Sequence, residues 1–517
     1  MKHTLPHIPE EEQTPTVRLL MAFIEQQQET ILKQQTDIKS LKAEIARLKK
    51  LPPKPKIRPS KLSKGDKGKG SGNSGKSTTS RKRKKKLTIH KTEIIKPDNL
   101  PKGSRLLGYE DYTVQDMVIQ PCNTRYRLAR YRTPDGRTVI GVLPEELQGN
   151  HFGVTLKSYI LHQYYHQRVT QPLILQQLTE WEIDISSGQI SNILIQDKEE
   201  FHTEKDELLS AGINNSSYIH VDDTGYCTHI GNESFAWFAS TGSKSRINFL
   251  ELLRGKGVDY TINTHALNYM NTQGLPRKPL TAIKNSDTVL FDDKEAWKTH
   301  LAQLNITNNR HIRIATEGVL LGTLSAGGFP PDLVIISDDA GQFNVLLHAL
   351  CWIHADRVFQ RIVPACDKHA EKLEWVHSEI WDIFSNLKQY KEKQDPVLKI
   401  AIKARFDELC STQTSFATLD QALKRLASNK DELLLVLERP DIPLHNNLSE
   451  RDIREYVIKR KISGSTRSDN GRRCRDTFIS LKKTCQKQGL SFWEFLCDRL
   501  KKNNNVPYLP DLLSGKA

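Results

Sequence analysis

Between residues 16 and 51 the apolar positions recur every seventh residue: Val17, Ile24, Ile31, Ile38 and Ile45, with Leu20, Leu41 and Leu48 three further on. Gln27 and Gln34 fill the second register in the middle. Ile at one seam position and Leu at the other predict a parallel two-stranded coiled coil over 1–51, with the polar seam residues weakening it and fixing its register. A single amphipathic helix lying on a core would carry the same stripe. From 52 to 100 the pattern stops. Pro, Gly, Ser and Lys dominate, and such a composition buries too little apolar surface to offset the entropy of ordering, so this stretch reads as a disordered basic linker.

Residues 101–154 hold two β-type runs, "YRLARYRT" and "RTVIGVL", around the turn "PDG", which predict a small β-rich module. Over 155–212 the period becomes helical. "QPLILQQLTEWEIDISSGQISNIL" reads as a helix, a break, and a second helix capped by Ser186 or Ser187, the outline of a helix-turn-helix whose second helix would offer Gln189, Ser191 and Asn192 to DNA. Ordinary helical hairpins share that outline.

At 213 the pattern switches to strands. "SYIHVDDTGY" is an apolar strand ending in Asp222 and Asp223, and "FAWFAST" and "RINFLELL" read as further strands of an antiparallel meander. "DLVIISDDAGQFN" contains a near-continuous apolar run at 333–336, a buried strand ending in Asp338 and Asp339. Residues 256–330 between them read as an insertion into the core segment 213–350. From 351 to 443, three stretches repeat apolar residues at three- and four-residue spacing and predict a helical insertion. Residues 444–517 are helical again and open with "HNNLSERDIREYVIKRK". The fold class is therefore α/β.

Charge changes this picture in one place. The 517 residues carry a formal +15, but 49–91 alone hold seventeen Lys and Arg against the single acid Asp66, so the remainder sums to −1. The excess is a tail. Arg81, Lys82, Arg83, Lys84, Lys85 and Lys86 could meet DNA phosphates by counterion release, giving affinity without sequence choice; a solvated linker has the same composition. The eight cysteines form no C-x-x-C pair, so neither a zinc site nor a disulfide framework is read, and a reducing, cytoplasmic location is expected. No apolar stretch reaches the ~18 residues of a membrane span, and no signal-peptide core opens the chain.

The candidate chemistry lies in the acids. Carboxylates at the ends of two buried strands are costly unless compensated, and a divalent cation with hard oxygen ligands compensates them. Asp222 or Asp223, Asp338 or Asp339, and the helix-borne Glu450 could form such a site; solvent-facing polar caps are the alternative. One Cys-x-x-His pair, in "CWIHADR", cannot complete a tetrahedral site.

The strings "VDDTG", "IISDDAGQFN", "CWIHADRVF", "HNNLSERDIREYVIKRK" and "SLKKTCQKQGLSFWEFL" together resemble bacterial transposases of insertion-sequence family sixty-six, with gaps, from about 150 to 500. The resemblance implies a ribonuclease-H-like core with an all-helical insertion and an Asp-Asp-Glu triad. Its motifs select Asp222, Asp338 and Glu450 as catalytic residues and as ligands of two Mg²⁺ ions, for which Mn²⁺ would substitute. It also implies cleavage of transposon ends and joining of the 3′-hydroxyl to target DNA. Arg454, Arg460 and Lys461 match the family's basic positions, Arg460 and Lys461 expected to meet DNA and Arg454 either DNA or a local acid, with His354 and Asn447 as support around the site. Expected partners are transposon-end and target DNA, a second copy through the coiled coil, and small accessory proteins. This sequence departs from the family in two ways. Many relatives carry a four-cysteine zinc module before the core, where this chain has only Cys122, and the 116 residues from Asp222 to Asp338 are a longer separation than expected. A non-catalytic DNA-binding regulator and a structure-specific nuclease on the same fold are the rival readings.

Overall fold

The computed structural model describes residues 14, 16–17, 24, 27, 88–95, 104–143, 151–255, 259–464 and 466–515. The chain divides into two compact units, 1–112 and 113–517. In the first, residues 16, 17, 24 and 27 have helical backbone. The rest of the expected coiled coil, and the basic run from Arg81 to Lys86, lie outside the described residues.

The second unit begins with exposed chain that forms one hairpin, β1 (Arg130–Arg132) and β2 (Thr138–Ile140), antiparallel around the "PDG" turn. Helices follow: α1 (Val154–Leu161), extended by a π-turn at His162–His166, then α2 (Gln171–Glu180), α3 (Ser187–Ile195) and α4 (Glu199–Asn214). Ser186 caps α3 in a reciprocal box, its hydroxyl accepting from Gln189 N while Gln189 Oε1 accepts from Ser186 N. The helix–break–helix outline is therefore present, and its cap is Ser186.

The central sheet has five strands in the order β5-β4-β3-β8-β9. Strands β3 (Tyr218–Thr224), β4 (Cys227–Gly231) and β5 (Ala236–Ser240) form an antiparallel meander. On the other side of β3, β8 (Val334–Ser337) and β9 (Leu347–Leu350) run parallel to it. One expectation fails here. "RINFLELL" is not a strand but the helix α5 (Arg246–Arg254), capped by Ser245 and burying Phe249, Leu250 and Leu253. A short apolar run fits either period, and the 249/250/253 spacing with an N-cap serine decides for the helix. The meander's middle strand is instead "CTHIG", whose composition carries little strand signal.

Between α5 and β8 lie β6 (Tyr260–Thr261), α6 (Thr264–Thr272), α7 (Arg277–Lys284), β7 (Leu290–Phe291), α8 (Lys294–Gln303) and α9 (Asn309–Ala326). Helices α10 (Trp352–Gln360), α11 (Asp367–Glu392), α12 (Pro396–Ser411), α13 (Ala417–Ser428) and α14 (Lys430–Leu434) follow β9. The chain closes with α15 (Asn447–Ser463), α16 (Asp469–Lys487), α17 (Phe492–Lys501) and α18 (Leu509–Leu513).

Strand alternation assigns the two faces of the sheet. Ile219, Val221, Ile230 and Ile335 point into one large core, which also takes in α1–α9 and α16–α18. Tyr218, Val334 and Ile336 point the other way, into the core of the helical insertion α10–α14. Helices 154–214 are therefore not a free-standing module: Arg499 on α17 pairs with the buried Glu204 on α4 at 3.0 Å, and His202 on α4 bonds Thr477 on α16 at 2.7 Å.

The open edge of β5 is closed by α16. The amides of Ala236, Phe238 and Ser240 donate to Thr484 Oγ1 (3.2 Å), Ser480 Oγ (2.9 Å) and Asp476 Oδ2 (2.6 Å). Two strand residues advance about 6.8 Å and four helix residues about 6 Å, so a polar stripe of helical period four satisfies every second amide of an edge strand.

Candidate active site

Strand register brings the first two acids together. Tyr218, Ile219 and His220 pair with Val334, Ile335 and Ile336, and continuing that offset sets Asp222 opposite Asp338. Both stand at the carboxyl ends of adjacent parallel strands, the usual place for a site in such a sheet. Alternation also separates each acid from its neighbour. Asp223 turns to the other face, where Lys244 pairs with it and Gln342 Nε2 donates to it at 2.7 Å. Asp339 is held by the Arg425 Nε at 2.7 Å. Asp222 and Asp338 have no cationic partner among the described residues: Asp222 Oδ1 accepts from Asp223 N (2.8 Å) and Asp338 Oδ1 from Ala340 N (3.2 Å). Burial, then the charges of Asp338, Asp223 and Glu450, push the Asp222 carboxyl up to about 7.

Glu450 arrives on the first turn of α15, and a set of buried polar contacts fixes that turn on the sheet. Asn446 immediately precedes the helix. Its Oδ1 lies 2.8 Å from His220 Nδ1, its Nδ2 donates to Val221 O (2.7 Å), and its amide donates to Cys351 Sγ (3.2 Å). Ser449 Oγ is 2.6 Å from His229 Nδ1 on β4. One turn on, Asp452 pairs with Lys483 (3.2 Å) and Lys487 (2.8 Å) of α16. The helix carrying Glu450 is thus tied to β3, β4, the start of α10 and α16 at once.

The Glu450 carboxylate is not free. Arg357 donates to Oε1 at 3.0 Å and to Oε2 at 3.5 Å, and His354 Nε2 stands 3.1 Å from Oε1. The same imidazole nitrogen lies 2.8 Å from Arg357 Nη1. Burial and the Arg357 charge pull His354 below the ordinary imidazole value, so the ring is neutral at pH 7, and its one Nε2 site serves either Arg357 or Glu450. Among the described residues no three His, Cys, Asp or Glu side chains are closed around a common point. The three acids feel one another, but Glu450 is drawn toward α10.

Of the other residues singled out from the sequence, His354 lies at the acids and Asn447 occupies the first helical position of α15, beside the buried Asn446 that makes the structural bonds. Arg454 and Lys461 are exposed and share the Glu450 stripe of α15. Arg460 lies with its guanidinium 5.0 Å above the Tyr226 ring. Lys459 turns inward, donates to Tyr164 O at 2.8 Å, and is pulled down to about 7 by burial. Gln189 spends its carboxamide oxygen on the α3 cap, whereas Asn192 is exposed. Sequence reasoning missed Arg357 and Asn446. Arg357 stood three residues after His354, at helical spacing in the quoted "CWIHADR", and Asn446 is the first half of the Asn-Asn pair.

These features define an α/β protein with paired acids at the carboxyl edge of its sheet and a third delivered by a helix. Residues 302–473, which include Asp338, Arg357 and Glu450, match the Transposase IS66 family. The chain is also 43% identical over 321 residues to the "Uncharacterized protein y4jO" of Sinorhizobium fredii, an alignment covering 60% of this chain and all of that relative. No solved structure matches. The chain belongs to the Transposase IS66 family. No helix among the described residues is long and apolar enough to cross a membrane.

Proposed function

We propose that this chain cleaves transposon ends and joins their 3′-hydroxyls to target DNA, with Asp222, Asp338 and Glu450 holding two divalent magnesium ions. The observation that carries the reading is the selective lack of compensation at Asp222 and Asp338. Each has an acidic neighbour already neutralised by a cation, while these two face each other across paired strands. Hard oxygen donors that repel one another fit a hard divalent cation. The strand order, an antiparallel meander whose first strand is central and is joined by two parallel strands, supports the ribonuclease-H-like reading. The family match adds the transposition chemistry.

Bound cations would supply the positive charge that stabilises the attacking and leaving oxygens of phosphodiester exchange. The protein's own contribution is positioning. β3 and β8 set two carboxylates side by side. Asn446 and Ser449 lock the turn of α15 that presents Glu450. Arg357 and His354 hold that carboxylate in place until DNA and metal compete for it. Arg454 and Lys461, on the exposed stripe of α15, would meet phosphates. Hydrolysis at the end consumes water and leaves a 3′-hydroxyl and a 5′-phosphate, and attack by that hydroxyl breaks one target phosphodiester as it forms another, so no energy-rich cofactor enters.

The test is strand cleavage and joining on DNA bearing the element's own ends, in Mg²⁺ or Mn²⁺, with any companion proteins of the element supplied. Glu450→Gln keeps shape and removes one charge. Cleaved and joined products from the wild type, and neither from a variant that still binds DNA, is the expected result. Equal joining by the variant would remove Glu450 from the site, and cleavage without joining would favour a nuclease.

A further inference from the structure

On the face of the sheet opposite α15, the same carboxyl edge opens into a cleft of about 360 Å³. Its walls come from the start of α5, from α9, and from the loop after β8; Lys244, Arg246, Arg313, Glu317 and Gln342 line it. Three cations line it against one carboxylate, Glu317, with Asp223 beside it taking Lys244, and Glu317 is itself already occupied. Glu317 accepts from Tyr269 Oη at 2.6 Å and from Arg246 Nη1 at 3.4 Å. Arg246 is pinned further by Tyr269 Oη (3.0 Å) and Gly341 O (2.7 Å), while its Nε is buried in the wall without a hydrogen-bond partner. Arg313 comes no nearer to Glu317 than 3.9 Å and is 62% exposed; Lys244 is 49% exposed and pairs with Asp223.

A cleft of this size with a surplus of positive charge and a fixed arginine in its wall suits a phosphate and its sugar. Its position selects the phosphate. Lys244 and Gln342 both hold Asp223, the residue next to Asp222, so a nucleic-acid strand crossing the carboxyl edge passes from the three acids into the cleft. Resting on the DNA-cleavage reading above, we infer that the cleft holds a backbone phosphate of the DNA strand adjacent to the one being cut. Arg313 and Lys244 contact it from the rim, and the fixed Arg246 adds its positive charge from the wall. Segment 259–326, which supplies Arg313, Glu317 and Tyr269, is then part of the DNA-binding surface.

The experiment measures equilibrium binding of the full chain, without divalent metal, to duplexes carrying the element's end. Single neutral methylphosphonates are placed at each of the three phosphates on either side of the cleavage point. The wild type should lose about three- to tenfold in affinity at one position, as expected for one charge-assisted phosphate contact. Arg313→Gln, which leaves the Lys244–Asp223 pair intact, should lose a similar factor on unmodified DNA and nothing more from that methylphosphonate. Arg313→Lys should restore part of the loss. Arg313 is 62% exposed, so both of its variants are expected to fold. Absence of any sensitive position, or losses that simply multiply, overturns the inference. Coupling in a chain that binds but never cuts would keep the cleft and remove the strand-transfer reading. Cutting without coupling would do the reverse.

Discussion

At the scale of single residues, Asn446 and Arg357 act on the same carboxylate in opposite ways. Asn446 is buried and bonds a strand side chain, a strand carbonyl and a thiol, so Asn446→Ala strands His220 Nδ1 and Val221 O. At about 1–3 kcal/mol for each stranded partner, a clear drop in unfolding midpoint is expected, with a loss of cleavage larger than stability explains, because α15 would no longer present Glu450. An unchanged midpoint would show that the helix is held by its other ties. Arg357 instead competes with a cation for Glu450. Arg357→Gln is expected to bind Mn²⁺ several-fold more tightly, measured by calorimetry, yet to cleave DNA more slowly through loss of a cation beside the reacting phosphate. Weaker metal binding would make Arg357 a scaffold for the carboxylate. Of this candidate site the two acid doublets and Glu450 were legible in the sequence, because each sits in a contrast of pattern: an apolar strand ending in charge, or one acid in a basic helix. The cationic partners were not, since Arg425 and Lys244 approach their acids from helices and loops remote in sequence.

Among the elements, the pairing of α16 with β5 makes the sharpest prediction. Ser480→Ala leaves the buried Phe238 amide without its acceptor and is expected to cost about 1–3 kcal/mol, read as a shift in denaturant midpoint. Ser480→Thr, which keeps a hydroxyl, should recover part of it. The helix–break–helix outline, the strands "SYIHVDD" and "DLVIIS", and the insertion helices followed directly from hydrophobic period. "RINFLELL" did not, because apolar side chains at steps of one and two residues over so short a run fit either period and only Ser245 and the packing of Phe249, Leu250 and Leu253 choose between them.

For the whole molecule, the buried His202 and the half-buried His166 contribute to the response to acid. Burial lowers His202 and His166 to about 4, well under the ordinary imidazole value of ~6.5. The unfolded chain therefore binds protons first as the pH drops. The stability these rings carry is complete above about 6.5 and is lost as the pH falls toward 4, at up to about 1.4 kcal/mol per pH unit for the buried His202. Urea unfolding midpoints should fall between pH 7 and 5, and His202→Gln should flatten part of that fall. Because Asp222, raised to about 7, gains stability over the same range, the His202→Gln comparison decides: a fall as steep as the wild type's would mean that the His202 ring does not stay neutral in the folded chain.

By itself the sequence determined the α/β class, the strand ends that bear acids, the helical stretch bearing Glu450 and the family resemblance, because period, capping and charge contrast are local properties written in consecutive residues. The tertiary structure alone decided which acid of each doublet lacks a partner, since that depends on strand parity and on cations delivered from distant helices. It alone decided that helices 154–214 share one core with α16–α18, and that segment 259–326 builds the wall of a basic cleft. Such facts rest on contacts between residues tens to hundreds of positions apart, which no local pattern along the chain records.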